Sequence, residues 1–194
     1  LGAEADAYMR DGNTLTASFS NVTHGGDPLT LLQGNAYLNF HSAEFPAGEI
    51  RGQLIPQPVK LVAILNGAQE VPARETDAYG AAQALYDPAT NMITVVASIY
   101  NFTNTLTNSH IHEAPAGENG PVSLGFGAAD VYEQNGTTYT QVFSDLEYPG
   151  SPVALLGEGA YYNVHSNVFA PGEIRGQFTG AAAGGGGRLI NVSA

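Results

Sequence analysis

A repeat restricts the fold more than any other feature of this sequence. Residues 1–54 align over residues 125–178 without a gap and agree at roughly 24 of 54 positions, which indicates duplicated structure. The agreement peaks where YLNFHSAEFPAGEIRGQL (Tyr37 to Leu54) returns as YYNVHSNVFAPGEIRGQF (Tyr161 to Phe178). Upstream, DAYMRDGNTLTASFS (Asp6 to Ser20) returns as DVYEQNGTTYTQVFS (Asp130 to Ser144). Each reads as two alternating strands around Asp11-Gly12 or Asn135-Gly136, dipeptides that favour hairpin turns because both central residues tolerate positive φ. Residues 58–124 have no counterpart upstream. The expected organisation is an incomplete C-terminal half-copy over 1–57, a complete domain over 58–180, and a Gly-rich linker with a terminal strand over 181–194. The terminal RLINVSA loosely resembles KLVAILNGA (Lys60 to Ala68) and reads either as the first strand of a further unit or as a frayed end.

The intervening sequence predicts strands over Lys60–Asn66, Ala81–Tyr86, Met92–Tyr100 and Ser109–His112. Ile93, Val95, Ala97 and Ile99 alternate with Thr94, Val96, Ser98 and Tyr100, a period of two. Asp87-Pro88 and the Gly/Pro-rich stretches mark turns, and no segment has the 3.6 period of an amphipathic helix. Short strands with 24 Gly and 11 Pro indicate an antiparallel sandwich or barrel.

Charge and composition narrow the partners. Acids outnumber bases 18 to 6, for a formal net charge of -12, and such a chain is repelled by nucleic acid and by anionic membrane surfaces. No apolar run reaches the roughly 18 residues that span a bilayer, so no membrane insertion is expected. Without a basic-then-apolar leader, the sequence reads as a processed or excised form. The cysteine count of zero removes disulfides, thiolate metal sites and cysteine nucleophiles. N-x-[ST] triplets start at Asn21, Asn101, Asn135 and Asn191, a weak pointer to a secreted glycoprotein.

Three blocks then carry a family resemblance: LNGAQEVP (Leu65 to Pro72), HIHEAPAGENGPV (His110 to Val122) and YYNVHSNVFAPGEIRGQF. Together they resemble the signature of the CHRD (chordin) domain, complete in the second copy, while the first copy has only the last block. The resemblance implies an extracellular or cell-surface location better than any activity; the expected fold is an all-β, antiparallel Greek-key sandwich or barrel, and a structural or interaction role is expected from repeated β units with few charges and no catalytic constellation. By analogy with chordin it also implies a secreted protein ligand, though no residue here identifies one.

His110 and His112 lie two apart on a predicted strand, so both imidazoles leave one face while Ile111 faces the core. His165, with Tyr161 and Asn163 on its face, could supply a third nitrogen. Three neutral imidazoles suit copper or zinc. The alternative is that these histidines hydrogen-bond loop carbonyls and pin the GENGP turn. The arrangement also resembles the copper half of Cu,Zn superoxide dismutases, in which an H-x-H strand and a later V-H strand supply ligands, but this chain has no bridging histidine or zinc-ligand loop. His41 is the counterpart of His165 in the half-copy and lacks an H-x-H strand unless another chain provides one. Calcium could be held by acid-rich loops, Glu113 to Asn119 or Glu70 with Glu75 and Asp77, although no D-x-D-x-D-G loop is present. The pairs Glu49/Arg51 and Glu173/Arg175 read as structural, paired with each other or across strands, beside a close-packing glycine.

Two functions follow as expectations. One is a non-enzymatic extracellular structural or interaction protein that self-associates through open β edges, assembling head-to-tail into fibres by strand complementation. The other is a copper- or zinc-binding protein using His110, His112 and His165, with or without superoxide dismutase-like redox activity.

Overall fold

A computed structural model describes residues 8–19, 23, 25–180 and 191–193. Asn21 and the Ala181–Gly187 run lie outside them. The first copy contributes β1 (Met9–Asp11), β2 (Thr14–Thr16), a one-turn helix α1 (Pro28–Leu32), β3 (Tyr37–Phe40) and β4 (Ile50–Ile55). There follow β5 (Val59–Asn66), β6 (Tyr79–Asp87), β7 (Met92–Tyr100), β8 (Leu106–Glu113) and β9 (Val122–Gly125). The second copy then supplies β10 (Glu133–Asn135), β11 (Thr138–Glu147), α2 (Pro152–Leu156), β12 (Ala160–Ser166), β13 (Ile174–Gln177) and β14 (Thr179–Gly180), with β15 (Asn191–Ser193) at the end.

The molecule is all-β and its strand pairs are antiparallel. One large sheet has the order β10-β11-β7-β6-β5-β13-β12-β8-β9, with β14 beside β5, and it curls into a half-barrel. The period-two pattern sets which face of the sheet meets the core. On β6, Gly80, Ala82, Ala84 and Tyr86 are buried; on β7, Ile93, Val95, Ala97 and Ile99 are buried; the register sets Ala82 opposite Ala97 and Ala84 opposite Val95. These small and branched side chains line one concave face, and Ile111, Tyr162, Val164, Ile174 and Phe178 close over it from the other flank. Each large side chain so buried stabilises the fold by roughly 1.5–3 kcal/mol.

Strand β12 is buried on both faces, because loops cover the face that carries Tyr161, Asn163 and His165. The loop after β8 is tied down where Gly120 N–H donates to the Tyr161 hydroxyl and Asn119 Nδ2 donates to the Val71 carbonyl. The expected close-packing glycine is Gly176: a Cβ there would lie 2.3 Å from the Ile64 carbonyl oxygen of the adjoining strand.

Three expectations are corrected. The two one-turn helices were not expected. Each starts from a capping side chain, Asp27 or Ser151, with proline in its first turn, and one turn is too short to show a 3.6 period. In the two hairpins the turn is displaced by one residue: Asp11 pairs with Thr14 and Asn135 with Thr138, so Gly12 and Gly136 take the first central position at φ 57° and 60°. Glu173 and Arg175 do not bond each other. Thr76 and Asn104 donate to the Glu173 carboxylate, while Arg175 Nη1 donates to the Glu118 carbonyl and to Asn119 Oδ1.

The first copy has a separate sheet of order β15-β4-β3 and the β1-β2 hairpin. The terminal segment is therefore a paired strand rather than a frayed end over Asn191–Ser193. Among the described residues, no helix is long and apolar enough to cross a membrane.

Candidate metal centre

Pairing of β8 with β12 assembles the site. The register sets His112 opposite Tyr161, His110 opposite Asn163 and, just before a bulge, His165 opposite Asn108. Since alternate residues share a face, His110, His112, Asn163 and His165 emerge together on the side away from the core, while Ile111 and Val164 point inward with no exposure. One ring nitrogen from each of the three histidines lies within 4.8 Å of the others, and among the described residues this is the grouping of ligand-type side chains that converges. The acid-rich loops do not converge in this way. Glu113 Oε1 instead accepts from the Tyr148 hydroxyl and from Ser151 N–H.

The hydrogen bonds fix the tautomers. His112 Nδ1 is 2.9 Å from the Gly120 carbonyl oxygen and His165 Nδ1 is 2.9 Å from that of Ala170. A carbonyl only accepts, so both Nδ1 atoms carry the proton and both Nε2 atoms carry a lone pair. His165 Nε2 uses its lone pair to accept from His110 Nδ1 at 3.0 Å. The His112 Nε2 lone pair is buried and has no partner at all. The turn-pinning role is thus fulfilled, since Gly120 belongs to the GENGP turn, and it uses only one nitrogen of each ring. Ligand histidines in metal centres are oriented in this way, by a carbonyl on the far nitrogen.

All three imidazoles are held in the neutral, ligand form. Burial is the leading cause at each, and His110 is lowered to about 4, with His165 and His112 adding to the desolvation. His112 and His165 are also lowered by burial, each against the opposing pull of its carbonyl. The sign for stability follows. Unfolded histidine protonates near 6.5, whereas folded His110 resists protonation down to about 4, so the unfolded state binds the extra proton between those values. The metal-free protein is expected to lose stability progressively as pH falls from about 6.5 to about 4. Thermal melts across this window measure the decline, and His110→Gln is expected to reduce it, leaving the shares of His112 and His165.

Beside the histidines lies a second buried polar group. Tyr161 stacks on His112 at 5.0 Å, with 5° between the rings, and the Arg175 guanidinium lies 4.3 Å from the centre of the same Tyr161 ring. Arg175 and Glu70 line a cleft of about 280 Å³ with Gln69, Val71 and Gln177. Glu70 Oε1 and Asn163 Oδ1 are both buried without partners. They meet at Gly172, where a Cβ would lie 2.7 Å and 2.6 Å from them. Burial raises the Glu70 carboxyl to about 7 against the opposing pull of Arg175 and Arg74. A carboxyl raised in this way contributes stability below 4.5, and that contribution is lost as pH rises through about 7. Glu70→Gln is expected to raise the melting temperature at pH 8 and leave it unchanged at pH 4, read by calorimetry.

The structure brings together the three histidines named from the sequence, on one face of the paired strands β8 and β12. Sequence reasoning missed Glu70 and Arg175, both buried beside them, and it anticipated loop carbonyls as partners of the histidines without identifying Ala170. The contact to Ala170 recurs in the repeat. In the first copy His41 Nδ1 donates to the Pro46 carbonyl at 2.9 Å, the counterpart of the His165–Ala170 bond. His41 is exposed, and the structure brings no second histidine to it among the described residues.

The model of one protein family, described as CHRD domain, matches residues 4–54 and 61–178. No curated protein matches this chain.

Proposed function

The chain belongs to the CHRD domain family, and from that premise we propose that it is a non-enzymatic extracellular interaction protein whose second copy holds a copper or zinc ion on His110, His112 and His165. One observation carries the reading: the buried His112 Nε2 lone pair has no partner and lies among two other neutral imidazoles. An orphan acceptor of this kind costs about 1–3 kcal/mol, a penalty that a bound cation removes. Neutral nitrogen donors without carboxylates favour copper or zinc over calcium, and intrinsic affinity favours copper over zinc. His110 is only half-buried, which leaves a side of the site open for a fourth ligand from solvent. Such an ion would brace β8 against β12 and the two loops that the histidines pin. Redox cycling would require substrate access on that open side. Superoxide removal by the copper-loaded protein above that of free copper would make the centre enzymatic.

The test is titration of chelator-stripped protein with zinc and with copper(II), followed by calorimetry. Saturation at one ion per chain with a raised melting temperature supports the reading. Binding with no saturable stoichiometry would sink it.

A specific observation favours a second reading, self-association through open β edges into head-to-tail fibres. Residues in the first copy that correspond to core positions are exposed: Ile50 at 66% against 0% for Ile174, and Leu15 at 52% against 4% for Tyr139. Half a core laid open on a protein surface is the composition of an interface. Sedimentation and negative-stain imaging over a concentration series test this reading, and a monomer at every concentration would contradict it.

A further inference from the structure

Arg175 is only 2% exposed, and a cation so deep is costly unless an anion faces it. Among the described residues no carboxylate is bonded to it. Its Nη1 donates to two neutral acceptors, the Glu118 carbonyl and Asn119 Oδ1, and its other guanidinium nitrogens donate to no described group. Those nitrogens are not among the buried atoms without partners, so they reach accessible space. The space that Arg175 lines is the cleft of about 280 Å³.

Glu70 is the one acid among the residues lining that cleft, and it does not neutralise Arg175. Its Oε1 is turned to Gly172 and is buried there without a partner. The two glutamines of the cleft are already engaged. Gln69 Nε2 donates to the Ile64 carbonyl, and Gln177 Nε2 donates to the carbonyls of Ala114 and Glu158. Arg175 therefore supplies the charge of the cleft, while Ala68, Val71 and Ala116 supply apolar walls.

The repeat shows what the cleft adds. Arg51 holds the equivalent place in the first copy, 5.1 Å from the centre of the Tyr37 ring, as Arg175 lies 4.3 Å from that of Tyr161. Arg51 is exposed, because the segments that build the cleft, residues 68–71 and 116–117, have no counterpart in the first copy. Water screens the charge of Arg51, whereas the loops enclose that of Arg175.

We infer that this cleft is a binding site for a small aliphatic carboxylate, whose two oxygens take the remaining nitrogens of the Arg175 guanidinium while its carbon chain lies against Ala68, Val71 and Ala116. A planar carboxylate matches the guanidinium fork bidentately, which a spherical anion does not. The site goes beyond the metal reading and does not require it, although it shares the Tyr161 ring with His112.

The test is an NMR titration of the metal-free chain with propionate, compared with chloride at matched ionic strength. Saturable shifts in the millimolar range at the Arg175 side-chain N–H and at the amides of Ala116 and Gly117 are expected with propionate alone. Loss of a charge-assisted hydrogen bond costs about tenfold or more in affinity, and Arg175→Lys, which keeps the charge but not the fork, is expected to show it. Ala116→Leu, on an exposed loop, fills the cleft without touching Arg175 and is expected to weaken binding likewise. Arg51→Gln is expected to change nothing. Glu70→Gln is expected to tighten binding several-fold at pH 8, above the value of about 7 at which that carboxyl ionises, a gain that unfolding cannot imitate. No saturable shift with propionate, the same saturation with chloride, or unchanged affinity in both Arg175→Lys and Ala116→Leu would overturn the assignment. Because no metal is present, such a failure leaves the three-histidine centre standing.

Discussion

Replacing His112 with alanine is expected to lower the metal affinity of the protein by at least two orders of magnitude. Apparent binding energies of about 10–16 kcal/mol for four-ligand zinc sites assign about 2.5–4 kcal/mol to each ligand, on the order of a hundred- to a thousandfold in affinity. His112 is the most informative of the three because its Nε2 has no competing partner. At His110 and His165, metal binding must first replace the bond between the two rings. The same substitution removes the pin on Gly120 and the ring stacked on Tyr161, so folding needs a separate control. Gln at position 112 supplies that control, since its amide can still donate to the Gly120 carbonyl but is a poor ligand for copper or zinc. Competition titration against a chromophoric chelator reads the affinity. An unchanged value in both variants would remove His112 from the centre.

The second large effect compares one residue type in the two copies. Ile174→Ala is expected to destabilise the protein by about 2–5 kcal/mol, the usual cost of truncating a fully buried branched side chain. Its repeat counterpart Ile50→Ala is expected to change the stability of the isolated molecule by no more than about 0.5 kcal/mol, because Ile50 is 66% exposed. The two residues lie in the same E-I-R-G-Q block, so local sequence cannot explain the difference. What differs is the presence of β5 to β9 in the sheet that holds Ile174, with no equivalent beside Ile50 among the described residues. Denaturant unfolding measures both. A cost above about 2 kcal/mol at Ile50 in dilute protein would mean that the first copy is already covered within its own molecule.

Much of this was legible in the sequence because repeats and period-two patterns are local signals. Ile93, Val95, Ala97 and Ile99 announced both the strand and its buried face, and the H-x-H spacing placed two imidazoles on one side of β8 before any tertiary information was used. The third histidine was legible through the duplicated HS strand, although nothing local stated that β12 pairs with β8 rather than with another neighbour. The remainder depended on contacts distant in sequence. Glu70 reads as an ordinary surface acid until the turn of Gly67 to Gln69 is seen folded against Arg175 and Gly172. The one-turn helices carry their signal in Asp27-Pro28 and Ser151-Pro152, which are also turn dipeptides. The carbonyls of Gly120 and Ala170 have no side-chain signature. Strand β15 was ambiguous because seven residues cannot establish a repeat, and its pairing with β4 is a main-chain property.

The central claim is that His110, His112 and His165 form a metal centre, and the most direct test is elemental analysis of the protein purified from its native source without added metal. The account predicts copper or zinc at about one ion per chain, because only the second copy has the three-histidine set. It also predicts loss of that ion in a variant lacking all three histidines. Protein that is properly folded and contains no stoichiometric metal, or a variant that retains the ion, would contradict the account and leave His112 and His165 as loop pins.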